Sequence, residues 1–169
     1  MSNSGSVAVM FEDRSSYSAE NCSVKRALDI VGEKWTLLVL REAFYGARRF
    51  EEFQAFVGCA RNLLTERLNT LVESGVMRRV PYHEPGQRKR HEYRLTEKGL
   101  DLLPAVVALM HWGDRWEPDP AGPPVEITHR DCGQPVELVL QCSHDHTTLG
   151  ARDTLPRPGP GARPARVGG

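Results

Sequence analysis

The sequence predicts a mainly α-helical domain with one small β-hairpin, and three observations predict it. Apolar residues recur at helical spacing from Val24 to Val72. The period then shifts, and β-branched or aromatic residues mark Val76 to Tyr82 and His91 to Leu95. A last apolar run, Leu102 to Trp112, returns to helical spacing before nine of the twelve prolines fall after Trp116, where helices should stop.

Taken in order, Asn21 is an N-cap for a first helix with Val24, Ala27, Leu28 and Val31, closed by Gly32. Lys34 to Tyr45 forms a second, central helix with Leu37, Leu38 and Leu40 inward and Arg41 and Glu42 outward, ended by Gly46. Phe50, Phe53, Ala55 and Phe56 make a short third helix interrupted by Gly58. Leu63, Leu64, Leu68, Leu71 and Val72 make a strong fourth, ended by Gly75. The two strands are joined by the polar turn Glu84-Pro-Gly-Gln-Arg-Lys. Thr96-Glu97-Lys98-Gly99 opens a fifth helix through Leu102, Leu103, Val106, Val107, Leu109, Met110 and Trp112, which Pro104 bends in its first turns.

These elements divide the 169 residues into a flexible arm over 1–20, a folded domain over 21–117, a small β-hairpin appendix over 118–155 and a disordered Pro/Gly tail over 156–169, PRPGPGARPARVGG. With 26% charged and 40% apolar residues the composition is that of a globular protein. The best apolar stretch, Trp35 to Leu40, is flanked by Lys34 and Arg41 and falls far short of the roughly 20 residues of a membrane span. The N-terminal stretch lacks the layout of a signal peptide, and four scattered cysteines make no disulfide scaffold, so the expectation is a cytoplasmic chain with reduced thiols and no membrane partner. No Gly-rich phosphate loop, nucleophile motif or paired carboxylates support an enzyme.

Lys plus Arg and Asp plus Glu balance at 22 each, but not evenly along the chain. Residues 61–98 hold nine basic side chains against five acidic ones, a local basic block of the kind that a nucleic-acid surface leaves. A short helix, a turn with Gly58 and an amphipathic second helix is the layout of a helix-turn-helix, and the hairpin after it makes the arrangement a winged helix-turn-helix. The fourth helix offers Arg61, Asn62, Thr65, Glu66 and Asn69 on its polar face. In a major groove Arg reads guanine and Asn adenine in bidentate fashion. Arg88, Lys89 and Arg90 at the hairpin tip reach phosphates or the minor groove, and Arg48 and Arg49 clamp the backbone. An ordinary solvated helix is the bland reading of each residue alone.

The runs CSVKRALDIVGEKWTLLVLREAFYGARRFEEF, LLTERLNTLVESGVMRRV and HEYRLTEKGLDLLP closely resemble the HxlR-type winged helix-turn-helix regulators, relatives of the MarR group. The resemblance covers about residues 22–117. It implies a small bacterial homodimeric regulator of transcription bound to a pseudo-palindromic double-stranded operator, with its recognition helix at 61–74 and its wing at 82–91. Ser23 stands where the family more often has Pro after the cysteine. Dimerisation through the N- and C-terminal helices also has a motive in the residues. The fifth helix is apolar over more of its circumference than one small domain covers, and a two-fold partner would set two recognition helices about 34 Å apart. Val7, Val9, Met10 and Phe11 of the arm add a second contact with the partner.

Cys22, at the start of the first helix, sits where a helix dipole lowers a thiol pKa. The resemblance implies a redox or electrophile sensor there, beside the reading of a thiol that simply packs; a small ligand near the dimer helices is the other signal. Cys59, in the turn before the recognition helix, is either a second redox site or a packed turn residue. In the appendix, His129, Cys132, Cys142 and His144 are a set that Zn²⁺ could coordinate, although their spacing is not a standard one. A plain hairpin around Val136 to Leu140 with reduced thiols fits the same residues without a cofactor. The function expected is therefore a dimeric repressor under redox or ligand control. The competing readings are a protein–protein scaffold and a metal-sensing module without sequence-specific DNA binding.

Overall fold

A computed structural model describes residues 16–83, 85–86 and 89–165. Among them the order is α1 (Ser23–Val31), α2 (Lys34–Phe44), α3 (Phe50–Val57), α4 (Arg61–Glu73), β1 (Met77–Tyr82), β2 (Arg90–Leu95), α5 (Glu97–Leu100) and α6 (Leu103–Trp116). The fold is thus mainly helical with a two-stranded antiparallel hairpin, in the arrangement of a winged helix-turn-helix. The chain divides into two compact units, Arg26–Val136 and the pair of segments Met1–Lys25 and Glu137–Gly169.

In the larger unit α2 is the central helix, packed against α3, α4 and α6. Val39, Leu40, Phe53, Leu64, Leu68, Leu71, Val76 and Met77 form its closed core. Each such side chain stabilises the fold by about 1.5–3 kcal/mol through removal of apolar surface from water. Tyr93 of β2 sets its ring edge-on to Phe53 at 6.3 Å and so fixes the hairpin on the helical body. The expected outward orientation of Glu42 is overturned. Glu42 is buried, with its Oε1 accepting from Arg41 Nε at 2.7 Å, because the paired guanidinium offsets the cost of taking the carboxylate out of water.

The long fifth helix expected from Thr96 to Trp112 is two helices. Pro104 has no N–H to give the carbonyl of Leu100, and its ring would collide with that carbonyl in a continuous helix. Accordingly α5 ends at Leu100, and Pro104 occupies the first turn of α6, where a missing N–H costs nothing. Asn21 stands two residues before α1 and donates its Nδ2 to the carbonyl of Gly161 at 2.7 Å.

The corner between α4 and β1 is closed on both sides. Gly75, at φ 73°, takes the left-handed conformation that ends α4. The N–H groups of Gly75 and Val76 return to the carbonyls of Val72 and Leu71, a Schellman closure. Thr96 then caps the corner from outside. Its N–H donates to the Val76 carbonyl at 3.1 Å, its hydroxyl lies 2.6 Å from the Gly75 carbonyl, and Lys98 Nζ donates to the Ser74 carbonyl at 2.6 Å. A Cβ on Gly99 would meet the Val76 carbonyl oxygen at 2.2 Å, so glycine is required here by proximity.

The strand expected over Val136 to Leu140 forms no ladder. In the larger unit an isolated bridge joins Thr128 to Pro135, and the Val136 N–H donates to Ile127. In the smaller unit Tyr17 and Pro164 form a second bridge, made by hydrogen bonds of Ser18 to Arg163 and of Ala165 to Ser16. Pro164 needs no N–H at that position. Part of the segment expected as a disordered tail is therefore paired. The arm residues Val7 to Phe11 lie outside the described residues.

Glu52 starts α3 by accepting the backbone N–H groups of Arg48 and Arg49 on one oxygen, at 2.7 and 2.9 Å. The Arg48 bond first, then that of Arg49, holds its pKa below the ordinary carboxylate range. A depressed folded-state pKa gives stability that is present above the unfolded value and lost as pH falls through the folded one. Glu52→Gln should therefore lower stability by about 1 kcal/mol at neutral pH. The gap to the parent protein should close in urea titrations carried into the acid range. A gap that is constant with pH would exclude the charge as its source. Gly99→Ala should cost about 1–3 kcal/mol through overpacking, read as a lower urea midpoint at unchanged m-value; an unchanged midpoint would show that the corner can open.

Candidate nucleic-acid interface

The helix-turn-helix is built by Gly58, whose φ of 74° ends α3 in the left-handed conformation and turns the chain into α4 within Gly58 to Ala60. Gln54 Nε2 holds that turn through the Cys59 carbonyl at 2.8 Å, and Cys59 itself is buried. With Leu64, Leu68 and Leu71 inward, α4 presents Arg61, Asn62, Thr65 and Glu66 to solvent on its first two turns. Of the five residues expected on the polar face these four are exposed, and Asn69 is half-buried.

Several of these residues have intramolecular partners. The Arg61 guanidinium lies over the Phe50 ring at 4.5 Å, and Thr65 donates its hydroxyl to the Arg61 carbonyl at 2.9 Å. Glu66 pairs with Arg67 at 2.6 Å. Asn69 is half-buried and accepts from Arg79 Nη2 through its Oδ1. Arg79 is a residue that sequence reasoning missed. In the register it stands opposite Tyr93, so its side chain leaves the hairpin on the face that carries Tyr93 to the core. The alternation of β1 was the signal that could have found it.

At the hairpin, Arg90 reaches Glu51 of α3 at 3.4 Å, Lys89 is exposed, and Arg88 lies outside the described residues. Arg49 places its guanidinium over the Tyr82 ring at 4.7 Å, while Arg48 is exposed and gives its carbonyl to the Tyr93 N–H at 2.7 Å. Arg48, Arg49, Arg61 and the wing thus belong to one framework of α3, α4 and the hairpin.

Cys22 is exposed immediately before α1. The metal set expected from the sequence draws His129 and Cys132 from the larger unit and Cys142 and His144 from the smaller one. His129 Nδ1 meets Cys132 Sγ at 3.3 Å, and separately His146 Nδ1, not that of His144, meets Cys142 Sγ at 3.2 Å. The reason is the turn. The Cys142 N–H donates to the His146 carbonyl and Asp145 takes a φ of 61°, which brings residues 142 and 146 together. Among the described residues no group of three or more His, Cys, Asp or Glu side chains could hold a metal ion, and no helix is long and apolar enough to cross a membrane.

Comparison with known proteins agrees with this geometry. An HTH-type transcriptional regulator of Mycobacterium tuberculosis is 49% identical over 146 residues, which cover 86% of this chain and 91% of the relative. The crystal structure of PA1607, described as a candidate transcription factor, matches with 42% identity and a TM-score of 0.70 over 80% of this chain and 93% of that one. The redox regulator HypR in its oxidised form is 33% identical, with a TM-score of 0.51 over 56% of this chain and 96% of its own. The model of the HxlR-like helix-turn-helix matches residues 30–121. With the helix-turn-helix, the hairpin and these likenesses in agreement, the chain belongs to the HxlR-like helix-turn-helix family of transcriptional regulators.

Proposed function

We propose that this regulator is a cytoplasmic homodimeric repressor that sets α4 into the major groove of a double-stranded operator, touches the flanking backbone with its wing, and is released by oxidation of Cys22. The observation that carries the reading is the exposed first two turns of α4, with Arg61, Asn62, Thr65 and Glu66 on one surface beside the hairpin. Arg61 and Asn62 supply base-edge contacts, while Arg48, Arg49, Lys89 and Arg90 supply phosphate contacts.

A second copy is favoured by α6. Ala105, Leu109, Trp112 and Trp116 recur at spacings of four, three and four, and the last three are 55%, 60% and 60% exposed. Such a stripe is the seam that helix-to-helix dimers bury, and each tryptophan there is a large apolar surface left to water in a single chain. The signal at Cys22 is supported by its exposure at a helix start and by the likeness to HypR, a redox regulator.

Anisotropy titrations on DNA upstream of the chain's own gene test the reading. Arg61→Ala should weaken specific binding by about 1–3 kcal/mol, whereas Lys89→Ala should weaken all sequences alike and reduce the salt slope by about one. Affinity and slope unchanged in both variants would remove α4 and the wing from the interface. Trp112→Glu should yield a folded monomer by sedimentation and circular dichroism, with operator affinity lost; a dimer that persists would move the seam elsewhere. Mild oxidation should release the DNA, reductant should restore it, and Cys22→Ser should stay bound throughout. A Cys22→Ser variant that is still released by oxidant would assign the signal to another group.

A further inference from the structure

A cavity of about 430 Å³ lies at the edge of β2 beside the end of α2, and four arginines line it: Arg48, Arg78, Arg94 and Arg130. Its remaining lining is apolar or uncharged, with Phe44 and Tyr93 the largest side chains, and no acidic residue takes part. Arg78 and Arg94 stand directly opposite each other in the hairpin register. Like charges in a directly opposed pair destabilise a hairpin, so this placement works against the fold. Arg94 is partly relieved by two hydrogen bonds to Glu92 Oε2, at 3.1 and 2.9 Å. Among the described residues Arg78 and Arg130 have no ion pair. Among the described residues, Glu92 is therefore the one carboxylate ion-paired with these four arginines.

Recognition-helix chemistry does not account for the cluster. Arg79, one position along β1, leaves the hairpin on the face that reaches Asn69 of α4, and the alternation of a strand sends Arg78 and Arg94 to the opposite face. We propose that this cavity binds a small organic anion that carries two negative charges, such as a phosphate monoester, on an apolar body. Planar guanidiniums grip such an oxyanion through paired N–H donors, a phosphate monoester brings a charge of about −1.5 to −2, and Phe44 with Ala47 takes the apolar part. Because Arg48 belongs both to the cavity and to the proposed phosphate clamp, a bound anion withdraws that guanidinium from DNA. This consequence rests on the DNA-binding reading, whereas the binding of the anion does not.

The test is calorimetry on the full-length protein without DNA, at low ionic strength, with phenyl phosphate, inorganic phosphate and benzyl alcohol as probes. Phenyl phosphate should saturate one site per chain and bind at least about 10-fold tighter than inorganic phosphate, with no measurable heat from benzyl alcohol. Arg78→Gln should lose about 10-fold or more of that affinity while its melting temperature rises by about 1–3 °C, since the opposed charges are relieved. Loss of binding with gain of stability separates a ligand site from a structural role. Heats that do not saturate, equal affinity for inorganic phosphate, or Arg78→Gln binding as well as the parent would each overturn the proposal. So would a variant in which phenyl phosphate never binds and only the DNA salt slope becomes shallower, since that outcome makes the cluster part of the DNA surface.

Discussion

Three carbonyls at one corner, those of Ser74, Gly75 and Val76, have left the ladder of α4, and residues 96 to 98 supply donors to them. Everything proposed for the surface hangs on that arrangement. The corner joins the last turn of α4 to the first residue of β1, and Thr96 joins both to the end of β2 and the start of α5. A displacement of the corner would move α4, the hairpin and the start of α5 together, because each of these elements enters or leaves there. The bonds are individually modest, about 1 kcal/mol each, but an unmade one would leave a carbonyl without a partner at the edge of the core. The close approach of Gly99 to the Val76 carbonyl makes the arrangement exclusive, since another residue at 99 would push α5 off.

The same economy holds on the exposed surface. Arg79 bonded to Asn69, Arg49 stacked on Tyr82 and Arg90 paired with Glu51 tie hairpin to helices. A flexible arginine loses much rotamer freedom when it grips DNA, and a guanidinium already stacked on an aromatic ring has lost part of it beforehand. Arg61 on Phe50 is the clearest instance, because the ring belongs to α3 and the guanidinium to the first turn of α4. The two helices of the motif are thereby held by a contact that leaves the N–H fork of Arg61 available. Asn69 is different. Its carbonyl oxygen is committed to Arg79, so it serves the fit of the wing on the helix before it serves any base.

Much of this was legible in the sequence because the signals are local. Gly58 and Gly75 mark the ends of α3 and α4, Leu64, Leu68 and Leu71 mark the buried side of α4, and the change of period marks the hairpin. What local pattern does not carry is the identity of a neighbour. Glu42 reads as surface by charge, yet the approach of other elements buries it, and only its adjacent arginine makes that tolerable. Arg79 on Asn69 depends on strand register against helix phase, two quantities that are each ambiguous by a residue in sequence. At Cys142 the choice between His144 and His146 depends on a turn in which Asp145 adopts a positive φ, and nothing in the composition of that stretch announces it. Pro104 is the converse, a breaker visible in the sequence that divides the helix rather than bending it.

Charge placement ties these threads together. The basic block is interrupted by acids that sit on particular arginines, Glu66 on Arg67, Glu51 on Arg90 and Glu92 on Arg94. An arginine that must leave a carboxylate before it meets a phosphate releases fewer counterions and gains less, so such pairs depress binding to arbitrary DNA. Among the described residues Arg48, Lys89 and Arg61 are exposed or stacked and carry no ion-paired acid. A block of nine basic and five acidic residues is therefore weaker as a general polycation than its count suggests. Arg78 and Arg94 do not fit this economy. Opposed to each other on the face away from Asn69, they have one carboxylate between them, Glu92 on Arg94, and among the described residues Arg78 has no ion pair, which is the physical reason to look for a partner outside the chain.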